Sequence, residues 1–131
     1  MSNWDKKVHV KSSLERKNGQ FALFIGRWQP LHKGHKDMFQ QALNDGANVL
    51  IGIRDNEQVD VNNPFTALEV MNNIMTEYEK EISEKRVKVM ILPDICSVEF
   101  GRGVGYDIIE RVPPQEIAEI SATKIRAGLN N

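Results

Sequence analysis

Phe21-Ala22-Leu23-Phe24-Ile25-Gly26 is a short apolar run ending at a glycine, and Arg27-Trp28-Gln29-Pro30-Leu31-His32-Lys33-Gly34-His35 follows it directly. A nearly continuous apolar run of this length reads as a strand buried on both faces, as in a central parallel strand. A helical pattern succeeds the loop. Met38, Phe39, Ala42 and Leu43 fall on one side across residues 36–43, and Asp45-Gly46 closes the helix. Strand, polar loop and helix in this order make a crossover unit, and such a unit needs a second parallel strand to return to.

That strand is Val49-Leu50-Ile51-Gly52-Ile53. A polar loop over 54–63 leads to Pro64 and Thr66, which open a longer helix. Ala67, Val70, Met71, Ile74, Met75 and Tyr78 recur there at helical spacing and are expected to be core. The charged tail over 77–85 reads as solvated. Val87–Leu92 is the third strand, stopped by Pro93-Asp94. A glycine-rich stretch over 101–105 follows and reads as a surface turn. Tyr106–Val112 is expected as a fourth strand ahead of Pro113-Pro114, and residues 121–129 as a short helix capped by Ser121. The alternation predicts an α/β domain with a parallel sheet. In such sheets ligands lie beyond the carboxyl ends of the strands, so the loops after Ile25, Ile53 and Leu92 should carry the chemistry.

The chain has 131 residues, enough for one domain. Residues 1–20 read as a polar basic extension, with Lys6, Lys7, Lys11, Arg16 and Lys17 against Asp5 and Glu15; residues 21–131 form the domain. Trp4, Val8 and Val10 offer the arm a short edge strand; otherwise it reads as a mobile or loosely docked arm. A net charge of -1 argues against a generic nucleic-acid binder. One cysteine, Cys96, permits no internal disulfide; it reads as a small buried residue, and a reducing, cytoplasmic setting follows. No apolar run approaches the roughly 20 residues of a membrane span, and the first 20 residues lack a signal peptide's apolar middle. Self-association is compatible with a domain this small.

The loop after the first strand is suited to phosphate. Gly26 and Gly34 allow close approach of backbone to ligand. His32 and His35 sit three apart where a helix begins, on one side if that turn is helical. The helix start adds N–H groups and partial positive charge, and Lys33 and Arg27 add cationic donors. A second candidate anion site is Ile120-Ser121-Ala122-Thr123-Lys124-Ile125-Arg126, with hydroxyls and backbone N–H groups at a helix start and a guanidinium further on. His-x-x-His spacing also permits a metal, but no third ligand is evident, so no metal site is expected. Arg54, after the second strand, and Arg102 and Tyr106, after the third, are candidates for contacting a phosphorylated acceptor.

These two segments carry a resemblance. Gly26–His35 resembles the GxFxPxHxGH motif, and Ile120–Arg126 the ISSTxxR motif, of the HxGH nucleotidylyltransferase superfamily, whose members are cytidylyltransferase-like. Gly26-Arg27-Trp28-Gln29-Pro30 and Asn63-Pro64-Phe65-Thr66-Ala67-x-Glu69 look most like the archaeal-type nicotinamide mononucleotide adenylyltransferases. The sequence departs from the pattern at Ala122, which replaces the second serine, and at Val70, where an arginine is usual.

The resemblance implies a Rossmann-like three-layer sandwich around a mainly parallel sheet. It implies transfer of a nucleoside monophosphate from a nucleoside triphosphate, ATP first, to a phosphorylated small molecule, nicotinamide mononucleotide first. Pyrophosphate would leave, with magnesium held mainly through the triphosphate. Carried over by position, His32 and His35 contact the triphosphate near the α-phosphorus. Ser121, Thr123 and Arg126 hold the outer phosphates, and residues near Gly26 and Trp28 border nucleotide and acceptor. Cytidylyl transfer from CTP to glycerol 3-phosphate or a similar phospho-alcohol is the alternative enzyme reading. A nucleotide-binding module without turnover is the non-enzyme reading.

Overall fold

The computed structural model describes residues 10–11, 20–56, 58–99, 101 and 108–111. Its elements are β1 (Val10–Lys11), β2 (Phe21–Gly26), α1 (Lys33–Asn44), β3 (Asn48–Arg54), α2 (Ala67–Glu77), α3 (Glu79–Ser83), β4 (Val87–Leu92) and β5 (Ile108–Ile109).

β2, β3 and β4 form one parallel sheet in that order. The register aligns Phe21 with Asn48 and Val49 with Val87, so the three strands end close together at Gly26, Arg54 and Leu92. Each crossover steps to the next strand in the same direction. Both helices therefore cover one face of the sheet, as a constant crossover hand requires. The core is built between them. Val49, Ile51, Ile53 and Val87 point from the strands into a cluster with Phe39, Ala42 and Leu43 of α1 and Val70 and Ile74 of α2. Alternation along the strands decides this choice of face. Phe39 is completely buried, and its ring meets Phe24 edge-on at 4.9 Å. Tyr78, between α2 and α3, approaches Phe39 from the other side at 6.0 Å.

The opposite face carries Phe21, Leu23 and Met90, all partly exposed among the described residues. Lys88 lies over the Phe21 ring, 5.0 Å from its centroid. The described residues supply the sheet and one helical layer of the three layers expected. The helix expected from Ser121 lies on residues outside those described. Of the expected fourth strand, the described residues show Ile108–Ile109, pairing in parallel with Val10–Lys11 of the amino-terminal segment in a separate two-stranded sheet. Just beyond it, Arg111 forms an ion pair with Asp45, the last cap of α1, at 2.7 Å.

Two core expectations are corrected. Met75 is 42% exposed, because Ile74 takes the inward position of that turn, while Met71 packs against the core. Cys96 is exposed in the turn after β4, with its sulfur 3.8 Å from the Ser97 hydroxyl; Pro93, Asp94 and Ser97 of this turn are exposed as well, so the described core does not reach it. No helix among the described residues is long and apolar enough to cross a membrane.

Candidate active site

α1 begins earlier than its apolar pattern suggests. Its first helical residue is Lys33, and His32 is the cap, in extended backbone. Ser, Thr, Asp or Asn usually fills this position because a side-chain oxygen accepts an N–H of the first turn. Here an imidazole does it. His32 Nδ1 accepts from Gly34 N–H at 3.1 Å, and His35 Nδ1 accepts from His32 N–H at 3.3 Å. Two histidines thus form the reciprocal box in which serine and glutamate normally serve.

This geometry fixes both tautomers. A ring nitrogen that accepts an N–H bond carries no proton, so in neutral imidazole the proton sits on Nε2. Both histidines consequently present Nε2–H donors. Their rings stack with centroids 3.7 Å apart. Charging both rings at that separation is disfavoured. Burial lowers the His32 pKa, and burial, then the neighbouring His32, pushes that of His35 down to about 4. At neutral pH the pair is uncharged, aligned and donating.

The other residues of the loop hold this pair in place. Trp28 is only 6% exposed. Its φ of 52° is left-handed, a backbone region costing a bulky residue roughly 1–2 kcal/mol. The indole offsets that cost inside the core: its N–H donates to Gly52 O of β3 at 3.1 Å, and its ring meets Phe39 and His35 edge-on at 5.2 and 4.8 Å. Gly26 makes room for it. A Cβ there would come within 2.9 Å of two indole carbons. Gly34 is buried within the first turn. Gln29, 4% exposed, spans from the loop to the approach of α2, donating to Phe65 O at 2.9 Å and accepting from Phe65 N–H at 3.0 Å.

Phe65 packs on the core, as expected of an anchor. Thr66 and Glu69 cap α2 with a second reciprocal box. Ahead of them, Asp60 accepts from the N–H groups of Asn62 and Asn63 at 2.8 and 2.7 Å, and buried Asn63 precedes Pro64. The Asn63 N–H holds the Asp60 carboxyl below its usual range, with a lesser contribution from Arg27.

Gly26, Trp28, His32, Lys33, Gly34 and His35 therefore meet at one corner, at the carboxyl end of β2. Lys33 and Arg27 are exposed on its rim. Arg54 has other work: its Nη2 donates to Asp94 Oδ1 and to Ile95 O, both at 3.0 Å, tying the end of β3 to the turn after β4. Trp28 presents almost no surface. Val70 is 2% exposed, so the position where an arginine is usual faces the core in this chain. Arg102, Tyr106, Ser121, Thr123 and Arg126 lie outside the described residues. Sequence reasoning passed over Gln29, since nothing about a glutamine between Trp28 and Pro30 announces a buried clasp. The Asp60–Asn63 turn was detectable from its Asp, Asn and Pro chemistry.

An all-parallel sheet with a phosphate-suited helix start beyond its first strand matches known proteins. The cytidylyltransferase-like family model matches residues 23–75. That segment is similar to the family. It includes the histidine pair, the Gln29 clasp and most of α2, so the family likeness and the constructed corner coincide. A nicotinamide-nucleotide adenylyltransferase of Methanococcus aeolicus is 38% identical over 94 residues, covering 71% of this chain and 51% of that protein. The Thermococcus kodakarensis enzyme of the same name is 37% identical over 75 residues, 56% of this chain and 40% of its own. The chain thus spans about half the length, or less, of these curated relatives. Among solved structures, a bifunctional NMN adenylyltransferase/ADP ribose pyrophosphatase of Francisella tularensis, complexed with AMP and a manganese ion, is 30% identical. It superposes with a TM-score of 0.51 over 57% of this chain and 23% of its own. The segment over residues 23–75 is thus similar to the cytidylyltransferase-like family, in an α/β arrangement similar to that neighbour's.

Proposed function

We propose that the chain transfers the adenylyl group of ATP to nicotinamide mononucleotide with release of pyrophosphate. One arrangement carries this reading: two stacked, neutral imidazoles presenting Nε2–H donors at the amino end of α1. The names of the Methanococcus and Thermococcus relatives support the choice of ATP and the mononucleotide.

The chemistry asks little else of the protein. The acceptor phosphate is anionic at neutral pH and needs no strong general base. Its oxygen forms a bond to the α-phosphorus as the bond to the bridging oxygen of pyrophosphate breaks. Catalysis then rests on alignment and on stabilising developing charge. The Nε2–H groups of His32 and His35 serve the α-phosphoryl oxygens. The helix start and Lys33 add positive potential, and Ser121, Thr123 and Arg126 serve the departing phosphates. Neutral donors suit this task, because they bind the growing charge without titrating in the working range.

A divalent cation fits as a passenger of the triphosphate, where it would screen phosphate charge. Both Nδ1 atoms are occupied as acceptors and both Nε2 atoms carry protons, so the histidine pair lacks lone pairs for a metal. No group of three His, Cys, Asp or Glu suited to a metal occurs among the described residues.

The test is pyrophosphate release with magnesium, supplying ATP and CTP separately against nicotinamide mononucleotide, glycerol 3-phosphate and a no-acceptor control. Release requiring ATP and the mononucleotide is expected. Release requiring CTP and the phospho-alcohol would replace this reading, and triphosphate binding without turnover would make the chain a binding module. Folded His35→Ala should lose about 10²–10³ in kcat, the usual cost of removing one fixed donor.

A further inference from the structure

We propose that Trp28 is a positioning residue that holds the His35 imidazole in its donating orientation, acting from inside the core and not from the nucleotide surface. Three observations converge on it. The indole is buried, so it offers no face on which a base could stack. Its ring meets His35 edge-on, with centroids 4.8 Å apart and planes at 86°, while His32 stacks on His35 at 3.7 Å. His35 is thereby held by two rings. One of them, His32, takes the bond from Gly34 N–H within the same helical turn and so brings no anchor from the sheet.

The indole, by contrast, is anchored far from the loop. Its N–H bond to Gly52 O reaches the middle strand of the sheet, and its second ring contact is Phe39, which is fully buried. Trp28 therefore passes the rigidity of the sheet to a side chain of the first helical turn. The residue keeps left-handed backbone to do so, and Gly26 gives up a side chain to admit the ring. Backbone cost and lost side-chain volume at positions two apart are what a placed group requires.

Without the indole, His35 keeps the 3.3 Å bond from His32 N–H and its stack on the His32 ring, but loses the one contact anchored in the sheet. Its ring can then rotate, and the proton redistributes between Nδ1 and Nε2. Donor misplacement of about 1 Å is enough to cost about 10²-fold in rate.

The experiment reads the imidazole nitrogens directly. Long-range ¹⁵N–¹H spectra of the full chain, unliganded at pH 7.5, are recorded for wild type, Trp28→Leu and Trp28→Phe. Wild type should show His35 with Nε2 protonated and Nδ1 bare. Trp28→Leu should move the two His35 nitrogens toward a common averaged position, and Trp28→Phe, which keeps an aromatic edge, should restore most of the wild-type pattern. Trp28→Leu with His35 signals identical to wild type would overturn the proposal. If the leucine variant does not fold, nuclear Overhauser contacts between the Trp28 and His35 ring protons in wild type decide instead; their absence overturns it.

The kinetic arm rests on the proposed adenylyl transfer. There, Trp28→Leu should lose at least about tenfold in kcat per folded molecule with a smaller change in KM for ATP, whereas a purely stabilising role would leave kcat per folded molecule unchanged. A wild-type chain that releases no pyrophosphate would defeat the functional reading and leave the spectroscopic result standing. The two failures are therefore distinguishable.

Discussion

Gln29 closes both ends of its amide on the backbone of Phe65, donating to the carbonyl at 2.9 Å and accepting from the N–H at 3.0 Å. The side chain acts as a substitute strand residue, joining the loop before α1 to the residue before the cap of α2. Two helices that begin at the same end of the sheet are thus held at a fixed separation.

Gln29→Leu keeps the side-chain volume and removes both bonds. The N–H and carbonyl of Phe65 then lose their partner in a partly buried setting, at about 1–3 kcal/mol in all. Urea denaturation should show a lower midpoint with an unchanged slope. An unaltered midpoint would mean that water replaces the clasp at no cost.

Gly26→Ala puts a Cβ within 2.9 Å of the Trp28 indole, which is rigid and wedged between Phe39 and His35. The ring has to shift. Overpacking of this kind costs about 1–3 kcal/mol, and the displacement should also disturb the His35 ring. Thermal unfolding and the imidazole nitrogen shifts should therefore change together. A stable variant with undisturbed histidines would show that the loop relaxes freely.

The pH dependence of stability has a definite sign. His35 titrates near 6.5 when unfolded and at about 4 in the fold, chiefly because of burial and next because of His32. Between these values the unfolded chain binds more protons, so acid favours unfolding. The contribution is complete above pH 6.5 and is lost progressively as pH falls toward 4. His32 is displaced in the same direction by burial. Denaturation measured at several pH values should show this loss in wild type and a flatter dependence in His35→Asn. Equal slopes in the two would remove His35 as the source.

Asp45→Ala removes the partner of Arg111, whose side chain is only 5% exposed. Leaving a buried guanidinium unpaired costs about 3–5 kcal/mol. Asp45 also lies at the carboxyl end of α1, where it is the ion pair that makes an acidic residue tolerable against the helix dipole. Asp45→Ala combined with Arg111→Met should recover most of the loss in a double-mutant comparison; no recovery would show that the pair is not coupled.

Much of this architecture was legible from residue patterns. Phe21–Ile25, Val49–Ile53 and Val87–Leu92 are apolar runs too short for helices, and each lies in the observed sheet. Pro64 and Thr66 announced the start of α2, and Thr66 proves to be its cap. The start of α1 was three residues off because its caps are histidines, which capping statistics do not favour. Met75 and Cys96 were misplaced for a common reason. Hydrophobic type says what a residue prefers, but a helix face or turn can leave it outside when Ile74, or no neighbour, occupies the layer above. The site was legible as a motif and illegible as a mechanism. His32 and His35 stand out in the sequence, yet their tautomers depend on two hydrogen bonds, and the burial of Trp28 depends on a left-handed residue beside a glycine.

The histidine box has a consequence for how this chain can change. At most helix starts, capping and chemistry are separate duties, and substitution can trade one residue for another that caps as well. Here the same two rings do both: the Nδ1 atoms begin the helix, and the Nε2–H groups are the donors of the proposed reaction. Aspartate at 32 would cap, yet it would set a negative charge where the proposed reaction brings phosphate. Serine would cap and donate, but from a shorter arm. Selection for a sturdier helix and selection for anion binding therefore converge on the same two side chains, and this corner has few neutral neighbours in sequence space.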